Sequence, residues 1–212
     1  MPLTNSFRSL AVGLAAACLI ATPSLSAEPA ARMKVDAARV LGAADAPLTM
    51  VEFSDYECSY CQQYHMRAFG EIKRDFIDTG KLRYVVRDFP LSMHRNAFAL
   101  ARAARCADEL GRFWEMRDAL FAISERIDLD SMADAGAKAG LDAPALRACI
   151  QSTRFDAAIR KDMAEAEALG VNSTPSFVLG RSQGEGVEGT RFEGSQPYAA
   201  YESRIKALLP AP

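Results

Sequence analysis

The 212-residue sequence has no apolar run long enough to cross a membrane, no large excess of charge of either sign, and only two histidines. The longest apolar run, Leu10 to Ala21, has about 12 residues, whereas a membrane-spanning helix needs roughly 20. The formal net charge of −2 shows no basic excess of the kind that indicates a nucleic-acid partner, so we expect none. With 50% hydrophobic and 25% charged residues, the chain has the composition of one ordinary globular domain.

The first 27 residues have the pattern of a secretory signal peptide. Arg8 precedes the apolar run, and small residues follow it from Ser24 to Ala27. A transmembrane anchor and a lipoprotein signal ending at Cys18 are the alternatives, and the shortness of the apolar run disfavours both. Residues 28–46 are Ala-rich and weakly patterned, so we expect them to form a flexible or lightly packed lead-in to a domain at 47–212.

Cleavage after residue 27 would leave four cysteines, an even number for a chain bound for an oxidising compartment. Four cysteines allow three pairings. Adjacency favours Cys58 with Cys61, which leaves Cys106 with Cys149 as a structural disulfide. The alternative for the second pair is two buried free thiols that act as small hydrophobic side chains.

Hydrophobic patterning predicts an alternation of strands and helices from Pro47 onward. Residues Leu48 to Phe53 and Leu82 to Phe89 are strand-like, and a helix with its C-terminal cap at Gly80 separates them. Several helical patterns then fill residues 90–169. Two strands near Ser176 to Leu179 and Val187 to Glu193 and a final helix with Tyr198 and Leu208 complete the chain. This order predicts an α/β thioredoxin fold with a helical insertion at about 90–169.

The most informative motif is Cys58-Ser59-Tyr60-Cys61, which lies between a predicted strand and a predicted helix. Free N–H groups and the helix dipole at that junction stabilise an anion, so we expect Cys58 to be acidified and to act as the nucleophile. Cys61 lies one turn further into the helix and would resolve the mixed disulfide. Structural zinc and an inert disulfide are the alternatives. Zinc would need a second ligand pair, which neither the two histidines nor the other cysteines provide, so we expect no metal and no cofactor.

Four segments, in the same order, make the sequence resemble the DsbA-like thioredoxin proteins of the bacterial periplasm from roughly Val40 to Leu209. The segments are Val51 to Cys61, Arg87 to Leu91 with His94, Gly170 to Phe177, and Gly194 to Tyr198. The resemblance implies a periplasmic enzyme, cysteine-containing exported proteins as substrates, a quinone-linked membrane partner for reoxidation, and a monomeric state.

The resemblance also assigns roles to residues around the dithiol. It implies a cis peptide bond at Thr174-Pro175, opposite Cys58, and these residues with Ser59 and Tyr60 are the candidate substrate-binding group. It further implies that Glu52 lies beneath the dithiol and helps to move the proton of Cys61. Alternation along the strand leaves a second interpretation open, in which Glu52 faces solvent on an edge strand.

The sequence departs from the family prototype between the two cysteines. The prototype has Pro and His there, whereas this chain has Ser59 and Tyr60. Because these residues tune the thiolate, the direction of electron flow stays open. A dithiol oxidase is the leading prediction, a reductase or isomerase is the alternative, and a non-catalytic chaperone or metal-binding module is a third possibility.

Five further residues carry weaker signals. We expect His94 to cap or pack the next helix and His65 to lie on the surface. Trp114 should belong to the core of the insertion, together with Phe113. Asp55 and Glu57 should line the entrance to the dithiol and slightly oppose thiolate formation.

Overall fold

A six-stranded mixed sheet lies at the centre of the protein. The computed structural model describes Met1 and residues 31–35, 39–123 and 126–210. Its strands are β1 (Ala31–Lys34), β2 (Val40–Leu41), β3 (Leu48–Ser54), β4 (Leu82–Asp88), β5 (Ser176–Gln183) and β6 (Gly186–Glu193). They are arranged in the order β1-β6-β5-β3-β4-β2, in which β3 and β4 are parallel and the other neighbours antiparallel.

Strand β3 is central and buried at all seven of its positions. It pairs with β4 on one side and β5 on the other, so that Glu52 lies between Val86 and Phe177. Because helices cover both faces of the sheet, this strand has a nearly continuous apolar sequence instead of alternating with polar residues. Glu52 is the one acidic exception in it.

Side chains alternate along β3 between two hydrophobic cores, one on each face of the sheet. Leu48 and Met50 face the larger core, which contains Cys61, whereas Val51 and Phe53 face the smaller one. By the same alternation, Glu52 points to the face of the larger core and of the dithiol.

Seven helices accompany the sheet within the described part of the chain. Helix α1 begins at Ser59 and continues to Ile77, with α-helical pieces Ser59–Tyr64 and Gly70–Ile72 separated by π-helical turns at His65–Phe69 and Lys73–Ile77. The insertion contains α2 (Ala97–Glu109), α3 (Phe113–Phe121), α4 (Leu129–Lys138), α5 (Ala143–Gln151) and α6 (Asp156–Ala168), and α7 (Tyr198–Leu208) ends the fold.

The predicted order of strands and helices is confirmed from Leu48 onward. Gly80 follows α1 with a φ of +73°, a left-handed conformation that favours glycine at a helix C-terminus. Phe113 is buried in the insertion. Trp114 connects the insertion to α1, because its ring stacks on that of Phe69 with the centroids 6.3 Å apart.

The prediction that residues 28–46 form a loosely packed lead-in is wrong where the structure describes them. Strand β1 pairs with β6 at one edge of the sheet, and β2 pairs with β4 at the other. Two strands of four and two residues are too short for periodicity to reveal. Their stability comes from neighbours that are distant in sequence.

Arg39, in the same segment, belongs to a buried ion cluster. Its guanidinium contacts Asp88 of β4 at 2.9 Å and Asp162 of α6 at 2.7 Å. Arg105 of α2 pairs with both of these carboxylates, reaching Asp162 at 2.8 Å. The cluster therefore joins the N-terminal segment, the sheet and the insertion.

The predicted signal peptide at 1–27, with Cys18, lies outside the described residues except for Met1. In the part of the chain that the structure describes, no helix combines the length and apolar character that a membrane span requires.

A disulfide joins Cys106 of α2 to Cys149 of α5 across 43 residues of sequence, with the Cα atoms 6.1 Å apart. Cys106 is fully buried. The bond thus ties together two helices of the insertion that pack side by side.

Reduction of this disulfide is expected to lower the free energy of unfolding by about 4 kcal/mol, because the reduced unfolded chain regains the entropy of an open loop. The measurement compares oxidised and reduced protein by chemical denaturation in a Cys58→Ala/Cys61→Ala background, in which no other pair can react. The Cys106→Ala/Cys149→Ala variant of that background is the control, and reductant should leave its midpoint unchanged. Equal midpoints for the two redox forms of the bonded protein would contradict the prediction.

Candidate active site

The dithiol lies at the junction of β3 and α1. Cys58 is the N-cap of α1, its N–H donates to the carbonyl of Asp55 at 3.2 Å, and its carbonyl accepts from Gln62 N–H at 3.0 Å. Cys61 lies one turn into the helix and has no exposed surface, whereas Cys58 keeps 5%. The two thiols are unbonded, so the structure shows the dithiol form.

The two thiols have opposite acidities. The pKa of Cys58 is lowered to about 5, chiefly by a hydrogen bond from the Cys61 thiol. Partial burial opposes this shift, whereas hydrogen bonds with Thr174 and with the N–H groups of Cys61 and Tyr60 add to it. Burial raises the pKa of Cys61 well above its usual value, and the hydrogen bond and charge of Cys58 and the charge of Glu52 add to that effect. At neutral pH the pair therefore consists of a Cys58 thiolate and a Cys61 thiol, which makes Cys58 the nucleophile.

The Thr174-Pro175 peptide bond is cis, and it lies beside the dithiol. The Cys58 thiol is 3.4 Å from the carbonyl oxygen of Thr174, a residue 116 positions away in sequence. Ser59 and Tyr60 are exposed next to this contact, with 62% of Tyr60 accessible. A backbone carbonyl, a reactive sulfur and an exposed aromatic ring are thus available to one bound peptide.

Glu52 is fully buried in the larger core, so the interpretation that it faces solvent on an edge strand is wrong. Its Oε2 accepts hydrogen bonds from the Tyr84 hydroxyl and from Arg117 Nη2, the latter at 2.9 Å. Tyr84 in turn bonds the Tyr64 hydroxyl at 3.1 Å. Glu52 thus belongs to a hydrogen-bonded network under Cys61.

Arg117 is the counter-charge of Glu52, and its guanidinium is also fully buried. It lies over the ring of Phe69 at 4.3 Å and over that of Phe121 at 5.3 Å. These contacts place a cation in an apolar core, where it is stable only because Glu52 is beside it.

His65 is not on the surface as predicted. Its ring stacks between Phe69 and Phe121, and its Nδ1 accepts a hydrogen bond from Arg117 at 2.7 Å. Burial and the charge of Arg117 lower the pKa of His65 to about 3, so the ring is neutral at physiological pH. A neighbour 52 residues away in sequence determines its position.

Asp55 is buried instead of lining the entrance. Its carboxylate accepts hydrogen bonds from the N–H groups of Glu57 at 2.8 Å and Leu91 at 2.9 Å, and it contacts His94 Nδ1 at 2.7 Å. Glu57 accepts from the Asn96 N–H at 2.6 Å and so caps the start of α2. These two acids attach the loop before the insertion to the dithiol junction.

With this geometry established, the comparisons with known proteins identify the family. The family model described as thioredoxin matches residues 34–207. The solved structure of α-DsbA1 from Wolbachia pipientis superposes with a TM-score of 0.74 at 25% identity, covering 82% of this chain and 92% of that one. The chain is a DsbA-like member of the thioredoxin family.

Two other solved structures superpose over similar lengths. DsbA2 of Pseudomonas aeruginosa gives a TM-score of 0.66 at 26% identity, covering 84% of this chain and 97% of that one. A thioredoxin-like oxidoreductase from Silicibacter pomeroyi DSS-3 gives 0.67 at 28%, covering 80% and 91%. The predicted thioredoxin fold with a helical insertion is therefore confirmed.

Among curated proteins, this thioredoxin-family chain matches part of longer ones. It is 32% identical over 185 residues to the Na(+)/H(+) antiporter NhaA of Herminiimonas arsenicoxydans, which covers 87% of this chain. The match spans only 27% of that protein, and 23% of a similarly named one from Mycolicibacterium gilvum.

Sequence patterns did not reveal the contacts of three residues of this DsbA-like site. Arg117 lies within a helical stripe, and nothing in its own sequence neighbourhood indicates that it pairs with Glu52. Asp55 and His94 are 39 residues apart, and only the three-dimensional structure brings them together. The described residues hold no group of three or more His, Cys, Asp or Glu side chains able to share a metal ion.

Proposed function

We propose that the protein is a thiol-disulfide oxidoreductase that donates the Cys58–Cys61 disulfide to other proteins. The observation that carries this is the contrast between an acidic Cys58 at the helix start and a buried Cys61 of high pKa. A stabilised Cys58 thiolate favours the dithiol form, and a disulfide whose dithiol form is favoured is a strong oxidant. The contrast therefore supports the oxidase direction over the reductase or isomerase.

The transfer proceeds through two exchange steps. A client thiolate attacks Cys58 Sγ in the disulfide form, a client–Cys58 bond forms, the Cys58–Cys61 bond breaks, and Cys61 leaves with the electron pair and takes up a proton. A second client thiolate then attacks the client sulfur of the mixed disulfide and releases Cys58 as a thiolate. The client gains a disulfide, and the protein gains two electrons as the dithiol.

Two groups assist these steps. The charge of Glu52 opposes a second anion at Cys61, so it favours proton uptake when Cys61 leaves. The Thr174 backbone beside Cys58 can pair with an extended client segment as a short strand would, and Ser59, Tyr60 and Pro175 would border that segment.

The cellular setting is also proposed. A predicted signal peptide and DsbA-like structure support a monomeric periplasmic protein that acts on newly exported chains. Each turnover leaves the dithiol form, so an electron acceptor is required, and a quinone-linked membrane protein is the class implied by the family resemblance.

The equilibrium potential of Cys58–Cys61 against glutathione tests this proposal. We expect a value near about −120 mV, as for a strong oxidant, because the Cys58 thiolate stabilises the dithiol. The redox state of each pair is read by alkylation and peptide mass spectrometry, which separates this pair from Cys106–Cys149. A value near about −270 mV would show a reductase instead. A folded protein whose pair exchanges with neither glutathione nor a reduced client would show that the function is not disulfide exchange.

A further inference from the structure

His94 is held in a fixed position next to the dithiol junction. Its Nδ1 is 2.7 Å from Asp55 Oδ2, which also accepts the N–H of Leu91. An ionised carboxylate can only accept, so Nδ1 carries a hydrogen and Nε2 is the nitrogen that gains or loses the titrating proton. The backbone carbonyl of the same Asp55 accepts the N–H of Cys58 at 3.2 Å. One residue therefore anchors both the histidine and the nucleophilic cysteine.

The charged groups around His94 favour its protonated form. Partial burial opposes the charge, but the hydrogen bond and charge of Asp55, and the charges of Cys58 and Glu57, outweigh it and raise the pKa of His94. The interaction with Cys58 is reciprocal, because a thiolate that stabilises an imidazolium is stabilised by it to the same extent. The two residues between the cysteines, Ser59 and Tyr60, supply no positive charge of their own.

We propose that His94, fixed by Asp55, is a positioning residue whose positive charge holds Cys58 as a thiolate in the dithiol form. This inference rests on the proposed function, because the sulfur that His94 would control is the Cys58 sulfur that reacts with the client. His94 lies 36 positions after Cys58 in the sequence. Reduction of the disulfide then binds an additional fraction of a proton at His94, and the oxidising strength declines as pH rises through the His94 titration.

Proton NMR of the full chain measures this coupling directly, since the sequence has only two histidines. We expect one imidazole signal, from His94, to titrate above the ordinary midpoint of about 6.5 and at a higher pH in the dithiol form than in the disulfide form. The second signal, from His65, should titrate only in strong acid in both forms. Cys106–Cys149 is kept oxidised by choosing glutathione ratios that reduce Cys58–Cys61 alone.

A substitution pair then tests the effect on the sulfur. His94→Gln keeps a donor for Asp55 but has no charge, and we expect it to raise the pKa of Cys58 by about one unit. Alkylation of Cys58 at pH 5 should slow about fivefold, because the thiolate fraction falls with that shift. Arg95→Gln removes a positive charge from the exposed residue next to His94, so it is the matched control and should leave the Cys58 titration unchanged.

Equal titration midpoints of His94 in the dithiol and disulfide forms would overturn the proposal. This measurement uses the unaltered protein, so it does not depend on whether His94→Gln folds. An unchanged Cys58 pKa in a folded His94→Gln variant would overturn it as well. Neither readout requires a client protein. A coupled His94 in a protein that transfers no disulfide would refute the proposed function alone, and active transfer without the coupling would refute this inference alone.

Discussion

Cys58→Ser is expected to reduce disulfide transfer to the uncatalysed background. Cys61→Ser cannot form the active disulfide, but we expect its Cys58 thiolate to attack the disulfide of an oxidised client and to accumulate as a mixed disulfide with it. The difference follows from the positions of the two sulfurs. Cys58 is the acidic N-cap residue beside Thr174, so its loss removes the sulfur of the dithiol that a client can reach. Cys61 is fully buried beside Cys58, and in the reverse reaction with an oxidised client it is the thiol that displaces the client from Cys58, so its loss leaves that mixed disulfide without its resolving thiol.

Non-reducing electrophoresis and mass spectrometry will distinguish these outcomes, with a client whose one cysteine pair is reduced for the transfer assay and disulfide-bonded for the trapping assay. Ser203→Ala is the control, because Ser203 is exposed on α7 and lies outside the candidate site. We expect it to keep transfer within a fewfold of the original rate. Disulfide transfer by Cys58→Ser at the original rate would contradict the assignment of Cys58 as the nucleophile.

Arg117→Met is expected to lower the free energy of unfolding by about 3–5 kcal/mol, because it leaves the Glu52 carboxylate buried without its counter-charge. Both side chains of this pair have no exposed surface. Methionine fills much of the same volume between Phe69 and Phe121, so the loss reflects the unpaired charge more than a cavity.

Two variants separate this effect from a general loss of arginine. Arg112→Met removes an exposed partner of Glu115, 2.9 Å away, and should cost no more than about 1 kcal/mol. The double variant Glu52→Gln/Arg117→Met removes both charges and should recover at least half of the stability lost by Arg117→Met. Chemical denaturation measures all four proteins. If the double variant were less stable than Arg117→Met, the charge explanation would be wrong.

The dithiol and the main strands could be predicted from the sequence because their signals are local. Leu48 to Phe53 is a short apolar run followed directly by the Cys58 motif, and a strand, a turn and a helix start can each be recognised there. Thr174-Pro175 can be assigned to the site only by the family resemblance. No local pattern distinguishes it from a proline that simply precedes a strand.

The electrostatic surroundings could not be predicted, because they depend on contacts between distant residues. Glu52 faces the core because β3 lies between β4 and β5 in the sheet. The strand that pairs with the other side of β4, β2, has only two residues and leaves no recognisable pattern in the sequence. The residues around His65 in the sequence are those of a surface helix position, and only the fold shows that Arg117 covers it. The sequence around His94 indicates only capping or packing, because its partner Asp55 lies in another segment.

The buried cluster of Arg39, Asp88, Arg105 and Asp162 has a consequence for how the chain unfolds. Its four members come from the N-terminal segment, β4, α2 and α6, so separating any one of these parts leaves charges without partners in a dry environment. Partly opened states that detach the insertion from the sheet are therefore penalised. The cluster makes the thioredoxin core and its helical insertion one cooperative unit, although the insertion is continuous in sequence and looks like a separate module.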